Sequence, residues 1–191
     1  GVFPKGELPI HQCMGYTDMA LRKFFATASK MSWFKNTLFV LTADHATISN
    51  FPEYQTSWGY MSIPIVFYHP GDSTLRTAEK QIAQQTDIMP SVLDYLHYSG
   101  KIVSFGKSIF SPAEEHFVVN YNNGFQLIKG DYLLRFDGQK ASGLYDFVHD
   151  RLMNSDLKEK QPALRDSMEM MIKAYIQQYH NRLIGDKMRV E

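Results

Sequence analysis

Asp44 and His45 are the two residues whose types and position most readily do chemistry in this sequence. They end the short apolar run Leu38-Phe39-Val40-Leu41-Thr42-Ala43. Open α/β sheets bind ligands beyond the carboxyl ends of their strands. A carboxylate and an imidazole are also common ligands for zinc or manganese. Within a strand the two side chains would point to opposite sides, but where strand gives way to loop both can converge on one ion. From the residues alone a second reading stands beside this one: Asp44 caps the following turn and His45 is incidental.

The other candidates read as structural. His69, in Tyr68-His69-Pro70-Gly71, follows another apolar run and reads as a turn histidine. His11 has no partner nearby in sequence, and His97, His116, His149 and His180 show no ligand spacing. Thr86-Asp87 fits a helix cap better than a catalytic pair. The sequence contains no glycine-rich phosphate loop, no G-x-S-x-G and no H-E-x-x-H. No Ser or Thr sits in a recognisable nucleophile turn, so no catalytic residue is assigned in this chain and the substrate-binding residues are left open.

The elements that must position Asp44 and His45 follow from periodicity. Residues 1–15 hold Pro4, Pro9 and three glycines and read as an entry loop. Helical spacing of Met19, Ala20, Leu21, Phe24, Phe25 and Ala28 predicts a helix over 17–31, capped by Thr17 or Asp18. The apolar runs at 37–43 and 63–68 predict parallel strands, the first buried on both faces, with Pro64 at the start of the second. Residues 46–60 form a polar loop long enough to carry function. A helix over 86–98 follows. Beyond it, 116–121, 125–129 and 132–136 are short β runs broken at Asn122-Asn123-Gly124 and Gly130-Asp131, which predicts an antiparallel meander with one wet face. Residues 143–157 read as a loop. Leu164, Met168, Met171, Ile172, Tyr175, Ile176 and Tyr179 form a stripe along a last helix over 162–183, with Pro162 in its first turn.

Composition narrows the function classes. The 191 residues are 44% apolar and 21% charged, a globular balance. Twenty basic and twenty acidic residues cancel, which argues against nucleic acid as the main ligand and against a polybasic membrane clamp. One cysteine, Cys13, excludes an internal disulfide and a cysteine-rich zinc site. No apolar stretch approaches the ~18 residues that span a bilayer, and nothing in the chain reads as a signal peptide. A start at Gly1 rather than Met points to a piece of a longer protein.

Six segments in order resemble the sulfatase-like branch of the alkaline phosphatase superfamily, and most of all its lipoteichoic acid synthase and phosphoglycerol transferase type. They are Y-T-D-M-A-L-R-K-F-F (16–25), W-F-K-N-T-L-F-V-L-T-A-D-H (33–45), I-P-I-V-F-Y-H-P-G (63–71), Q-T-D-I-M-P-S-V-L-D-Y-L (85–96), S-F-G-K-S-I-F (104–110) and G-L-Y-D-F-V-H-D (143–150). The resemblance implies an α/β fold: the C-terminal part of an alkaline-phosphatase-like sandwich, with parallel strands and flanking helices, then a small antiparallel meander and a long C-terminal helix. It divides the chain into an entry loop (1–15), the C-terminal half of the sulfatase-like domain (16–110), and a meander with its helix in the same domain (111–191).

The resemblance turns Asp44 and His45 into metal ligands. The metal it implies is manganese, calcium, magnesium or zinc, bound by the parent protein and held weakly or not at all by this piece alone. The histidine after the aspartate leans toward phosphoryl transfer, since many true sulfatases carry asparagine there. The other acidic ligand and the nucleophile belong to a missing N-terminal half, and His11 does not match the family's substrate-contacting histidine. The reading is therefore a fragment of a metal-dependent enzyme acting on sulfate or phosphate (phosphoglycerol-like) esters, inactive in isolation. A non-catalytic sulfatase-like binding or scaffolding module is the alternative. The implied partners are the missing half, a second copy through residues 16–45, and a small-molecule or lipid-linked ester, with no nucleic acid. The resemblance places the parent outside the cytoplasm on a membrane anchor.

Overall fold

The computed structural model describes residues 3–76, 82–111 and 115–190. It contains three α-helices and six strands among those residues: α1 (Ile10–Ala28), β1 (Phe39–Thr42), β2 (Ile65–Tyr68), α2 (Ile88–Tyr95), β3 (Phe117–Tyr121), β4 (Phe125–Lys129), β5 (Tyr132–Phe136), β6 (Ala141–Asp146) and α3 (Pro162–Ile184). Strands β1 and β2 pair in a two-stranded sheet, and the other four form a sheet in the order β3-β4-β5-β6. The chain divides into two units: Gly1–Thr42 with Val66–Ala78, and Ala43–Ile65 with Glu79–Glu191.

In the first unit, α1 begins at Ile10, so the stretch expected to be an entry loop up to residue 15 ends six residues earlier. Pro9 has helical angles (φ −55°, ψ −33°), and its fixed φ suits the start of a helix. The Leu8 carbonyl accepts the His11 N–H. Thr17 and Asp18, expected as caps, lie inside the helix. The Thr17 hydroxyl donates to the Cys13 carbonyl at 3.0 Å, and Asp18 pairs with Arg22 one turn on. A second correction concerns β1, whose residues are half-buried or exposed rather than enclosed on both faces. Among the described residues β1 has one neighbouring strand, β2, which leaves part of its surface uncovered. The packing of this unit is aromatic: Phe25 sits 5.1 Å from Phe39, 5.9 Å from Tyr68 and 6.4 Å from Phe34, all edge-on. Such pairs contribute about 0.5–1.5 kcal/mol each beyond their buried area. Ala28 is the one buried residue of α1, while Phe24 (49%), Leu21 (42%) and Trp33 (47%) stay largely exposed.

The second unit carries the main core. Hairpins β3–β4 and β4–β5 form as the turn residues predict, with Tyr121 opposite Phe125 and Lys129 opposite Tyr132. Asn123 (φ 51°) and Gly124 (φ 144°) supply the positive φ that a tight hairpin demands. Leu127, Leu134, Phe136 and Leu144 face Met168 and Ile172 of α3, the stripe expected to pack, and each is at most 3% exposed. Two expectations fail here. Residues 141–146 are a fourth strand rather than loop, with Leu144 opposite Leu134 and Gly143 opposite Arg135. The other face of the meander is not wet: Leu133 is fully buried, Gln126 is 4% exposed, and Arg135 reaches over to the Ser57 hydroxyl at 3.1 Å. Trp58 closes the same region, donating its indole N–H to the Arg151 carbonyl at 3.0 Å and lying 5.6 Å from Phe147.

The helix predicted over 86–98 is shorter and starts in a tighter turn. Gln85–Asp87 is a 3₁₀ turn, capped reciprocally by the Gln84 and Asp87 side chains, and α2 ends at Tyr95. Asp87, rather than the expected Thr86, takes the N-cap position of α2, and it does more than occupy it. Its carboxylate is 2% exposed and accepts the backbone N–H of Gln84 (2.9 Å) and of Lys107 (2.8 Å), tying the loop after α2 back to the helix start. No helix among the described residues is long and apolar enough to cross a membrane.

Candidate metal centre

The end of β1 delivers Asp44 and His45 side by side. Both side chains are open to solvent, Asp44 at 87% and His45 at 77% exposure. The Asp44 carboxylate turns back on the chain, accepting the His45 N–H at 2.9 Å through Oδ1. Its Oδ2 lies 3.6 Å from His45 Nε2. The opposite ring nitrogen, Nδ1, is 2.7 Å from the Ala46 carbonyl oxygen. A carbonyl oxygen only accepts, so Nδ1 carries the proton in this bond, and in the neutral ring Nε2 keeps its lone pair. That lone pair and the Asp44 carboxylate are adjacent.

This donor set fits half of a divalent-metal site. A neutral imidazole nitrogen beside a carboxylate suits zinc or manganese, and an N–H-to-carbonyl bond on the far ring nitrogen is the usual orienting contact for a metal-bound histidine. Two ligands fall short of the three that catalytic zinc sites draw from protein and the four of structural ones. Among the described residues no group of three or more His, Cys, Asp or Glu gathers into a metal cluster.

Gln85 is a site residue that sequence reasoning missed. Its side-chain amide donates to the Ala43 carbonyl at 2.8 Å and to the Asp44 carbonyl at 3.2 Å, clamping the backbone that carries the ligand pair. The partners lie 41–42 positions apart in the chain, so no local spacing announces them. Three of the remaining histidines bond other groups. In the first unit His69 Nε2 bonds the Lys35 carbonyl at 2.8 Å, and His11 Nδ1 accepts the Leu8 N–H at 3.4 Å. His149 pairs with Asp146 at 2.9 Å on the turn after β6. There burial opposes the Asp146 charge, but the His149 backbone N–H and ring outweigh it and hold the carboxyl below its usual range.

Residues 10–98 match the sulfatase family model. No curated protein matches the sequence. Three solved structures share the fold. One comes from work on the metabolism of multiple glycosaminoglycans by Bacteroides thetaiotaomicron (BT33336S-sulf), with a TM-score of 0.59 and 14% identity over 87% of this chain. A second is BT4656 in complex with its substrate D-glucosamine-2-N,6-O-disulfate, at 0.62 and 16% over 88%. The third is yidJ of Bacteroides fragilis, described as a candidate sulfatase, at 0.60 and 17% over 88%. This chain spans 40–43% of the length of those structures. Its helix, two small sheets and long last helix are those of the C-terminal part of a sulfatase. The segment matched by the family model holds both Asp44-His45 and the Gln85 clamp.

Proposed function

We propose that this chain is the C-terminal portion of a metal-dependent enzyme that cleaves or transfers sulfate or phosphate esters, and that Asp44 and His45 supply one half of its metal site. The observation that carries the reading is the adjacency of the Asp44 carboxylate and the His45 Nε2 lone pair, 3.6 Å apart at the end of a strand inside the sulfatase-matched segment. The Nδ1 bond to Ala46 fixes the ring, and the Gln85 amide fixes the backbone beneath it. A divalent cation bound there would lower the nucleophile's pKa and take up charge on the transferring group's oxygens. The nucleophile and the further acidic ligand come from the portion of the domain outside this segment. The histidine after Asp44 favours a phosphoglycerol-transferase type of chemistry, and we extend the proposal to a parent outside the cytoplasm on a membrane anchor.

Turnover of p-nitrophenyl sulfate and p-nitrophenyl phosphate by the full-length protein tests the reading. Asp44→Ala and His45→Ala are each expected to lower kcat/KM by on the order of a hundredfold or more, as removal of one member of a cooperative catalytic set does. Full activity in both variants would overturn the assignment.

A further inference from the structure

The loop over 46–62 starts at the ligand pair and ends on the meander, and both belong to the second unit. Its first residue makes the contact that orients His45, since the Ala46 carbonyl accepts the Nδ1 proton at 2.7 Å. Its far end is fastened to the sheet and to the turn after β6. Arg135 of β5 donates from Nη2 to the Ser57 hydroxyl at 3.1 Å, and that hydroxyl donates in turn to the Met153 sulfur at 3.5 Å. Trp58 is buried beside it, with its indole N–H on the Arg151 carbonyl and the Arg151 guanidinium 5.5 Å over its ring. Between its ends the loop is bonded to itself. The Gln55 amide donates to the Ser49 carbonyl at 2.9 Å, and the Ser49 hydroxyl accepts the Phe51 N–H at 3.1 Å. The Thr56 hydroxyl donates to the Glu53 carbonyl at 2.6 Å and accepts the Gly59 N–H at 3.3 Å. Gly59 lies so close to the Glu53 carbonyl that a Cβ would clash.

Arg135 is an unusual residue to hold a hydroxyl. Among the described residues it has no carboxylate partner, and its guanidinium lies over the Tyr145 ring at 5.1 Å. Gly143 stands opposite it on β6, and the Tyr145 ring fills the space a Cβ there would need. A planar guanidinium held against an aromatic face presents its fork in one direction, toward Ser57. Resting on the reading of Asp44 and His45 as metal ligands, we infer that Arg135 is a positioning residue for the metal site. It acts through Ser57 and the braced loop on the Ala46 carbonyl, and so on the direction of the His45 Nε2 lone pair. The rival reading is that Arg135 and Ser57 only stabilise the fold. A stabilising contact shifts the unfolding midpoint and leaves the metal affinity of the folded protein alone. A positioning contact lowers that affinity while the protein stays folded.

The test is calorimetric titration of the full-length protein with manganese, read beside hydrogen exchange over residues 46–56. Ser57→Ala removes one half-buried hydroxyl, Ser57→Thr keeps it, and Arg135→Gln removes the fork. Affinity is expected to fall roughly fivefold in Ser57→Ala and in Arg135→Gln, short of the ~10–100-fold typical of partners that touch a ligand directly. Exchange over 46–56 is expected to quicken about threefold in both. Ser57→Thr is expected to restore wild-type values, and urea midpoints show that each variant is folded during the titration. Affinity unchanged in both Ser57→Ala and Arg135→Gln would overturn the inference whether or not exchange quickens, and so would a loss that Ser57→Thr fails to restore. Binding abolished by Asp44→Ala but kept in those two variants would fault the inference alone. Binding indifferent to Asp44→Ala would fault the metal reading, and the inference with it.

Discussion

At the scale of single residues, the proposed ligand pair depends on contacts that are not themselves ligands. His45 is oriented by one bond to Ala46, and Asp44 is held by a backbone that Gln85 fastens from 41 residues away. Partners that orient metal ligands typically change affinity or activity by about 10–100-fold when removed. Gln85→Ala is therefore expected to weaken metal-dependent turnover of the full-length protein by roughly tenfold, with little change in its denaturation midpoint, since Gln85 is exposed. Steady-state kinetics at varied metal concentration, read beside a urea melt, checks this. Loss of stability without loss of metal response would mean that the clamp is merely structural.

At the scale of elements, α3 is bound to the meander by buried apolar contact and by the Glu169 carboxylate, and the segment before α3 is bound to β6 by the Asp156 carboxylate. Glu169 accepts the Ala141 N–H at 2.7 Å and pairs with Lys173; Asp156 accepts the N–H groups of Leu144 (3.1 Å) and Lys158 (2.9 Å). The Lys173 bond, then the Ala141 N–H, lower the Glu169 pKa from its ordinary 4.5. Burial opposes the charge on Asp156, but the Lys158 and Leu144 N–H groups outweigh it and lower its pKa from 3.8. A depressed carboxylate pKa stabilises the fold above the unfolded-state value, and that stability is lost as pH falls through the lower folded-state value. The unit should thus weaken as pH drops below about 4.5, the ordinary Glu value, and Glu169→Gln should flatten that decline. Urea midpoints of both proteins across the acid range decide it; parallel curves would contradict the account.

The same elements show what the sequence makes legible. Asn122-Asn123-Gly124 and Gly130-Asp131 announce two hairpins because positive φ leaves a residue signature. Strand β6 is silent because Ala141, Ser142 and Gly143 carry little strand character, and their pairing with β5 supplies what local preference lacks. The early start of α1 is hidden by Pro9 and Gly15, which look like loop residues although proline is welcome at a helix start. The Asp44-His45 pair stands out in the sequence because its two residues are neighbours in the chain. Gln85 does not, because its contact exists only in the fold.

At the scale of the whole molecule, the first unit leaves several large apolar side chains open to solvent. Met14 (55%), Tyr16 (60%), Leu21, Phe24 and Trp33 are all exposed on or just after α1. Large contiguous apolar patches mark interaction surfaces. We propose the rest of the sulfatase-like domain as the partner that covers this one, since the chain spans 40–43% of the solved structures that share its fold. Offered alone at tens of micromolar, the chain is expected to self-associate in sedimentation velocity, and Phe24→Ser with Trp33→Ser to return it toward monomer. A clean monomer in the wild type would contradict this.

The central claim is that Asp44 and His45 are two ligands of a shared metal site whose remaining ligands lie elsewhere in the domain. Calorimetric titration with manganese addresses it most directly, comparing the 191-residue chain, the full-length protein and its Asp44→Ala variant. The account predicts tight binding to the full-length protein, loss of that binding in the variant, and weak or undetectable binding to the chain alone, because two protein ligands do not complete a site. Sub-micromolar affinity in the isolated chain, or full-length affinity unchanged by Asp44→Ala, would contradict it.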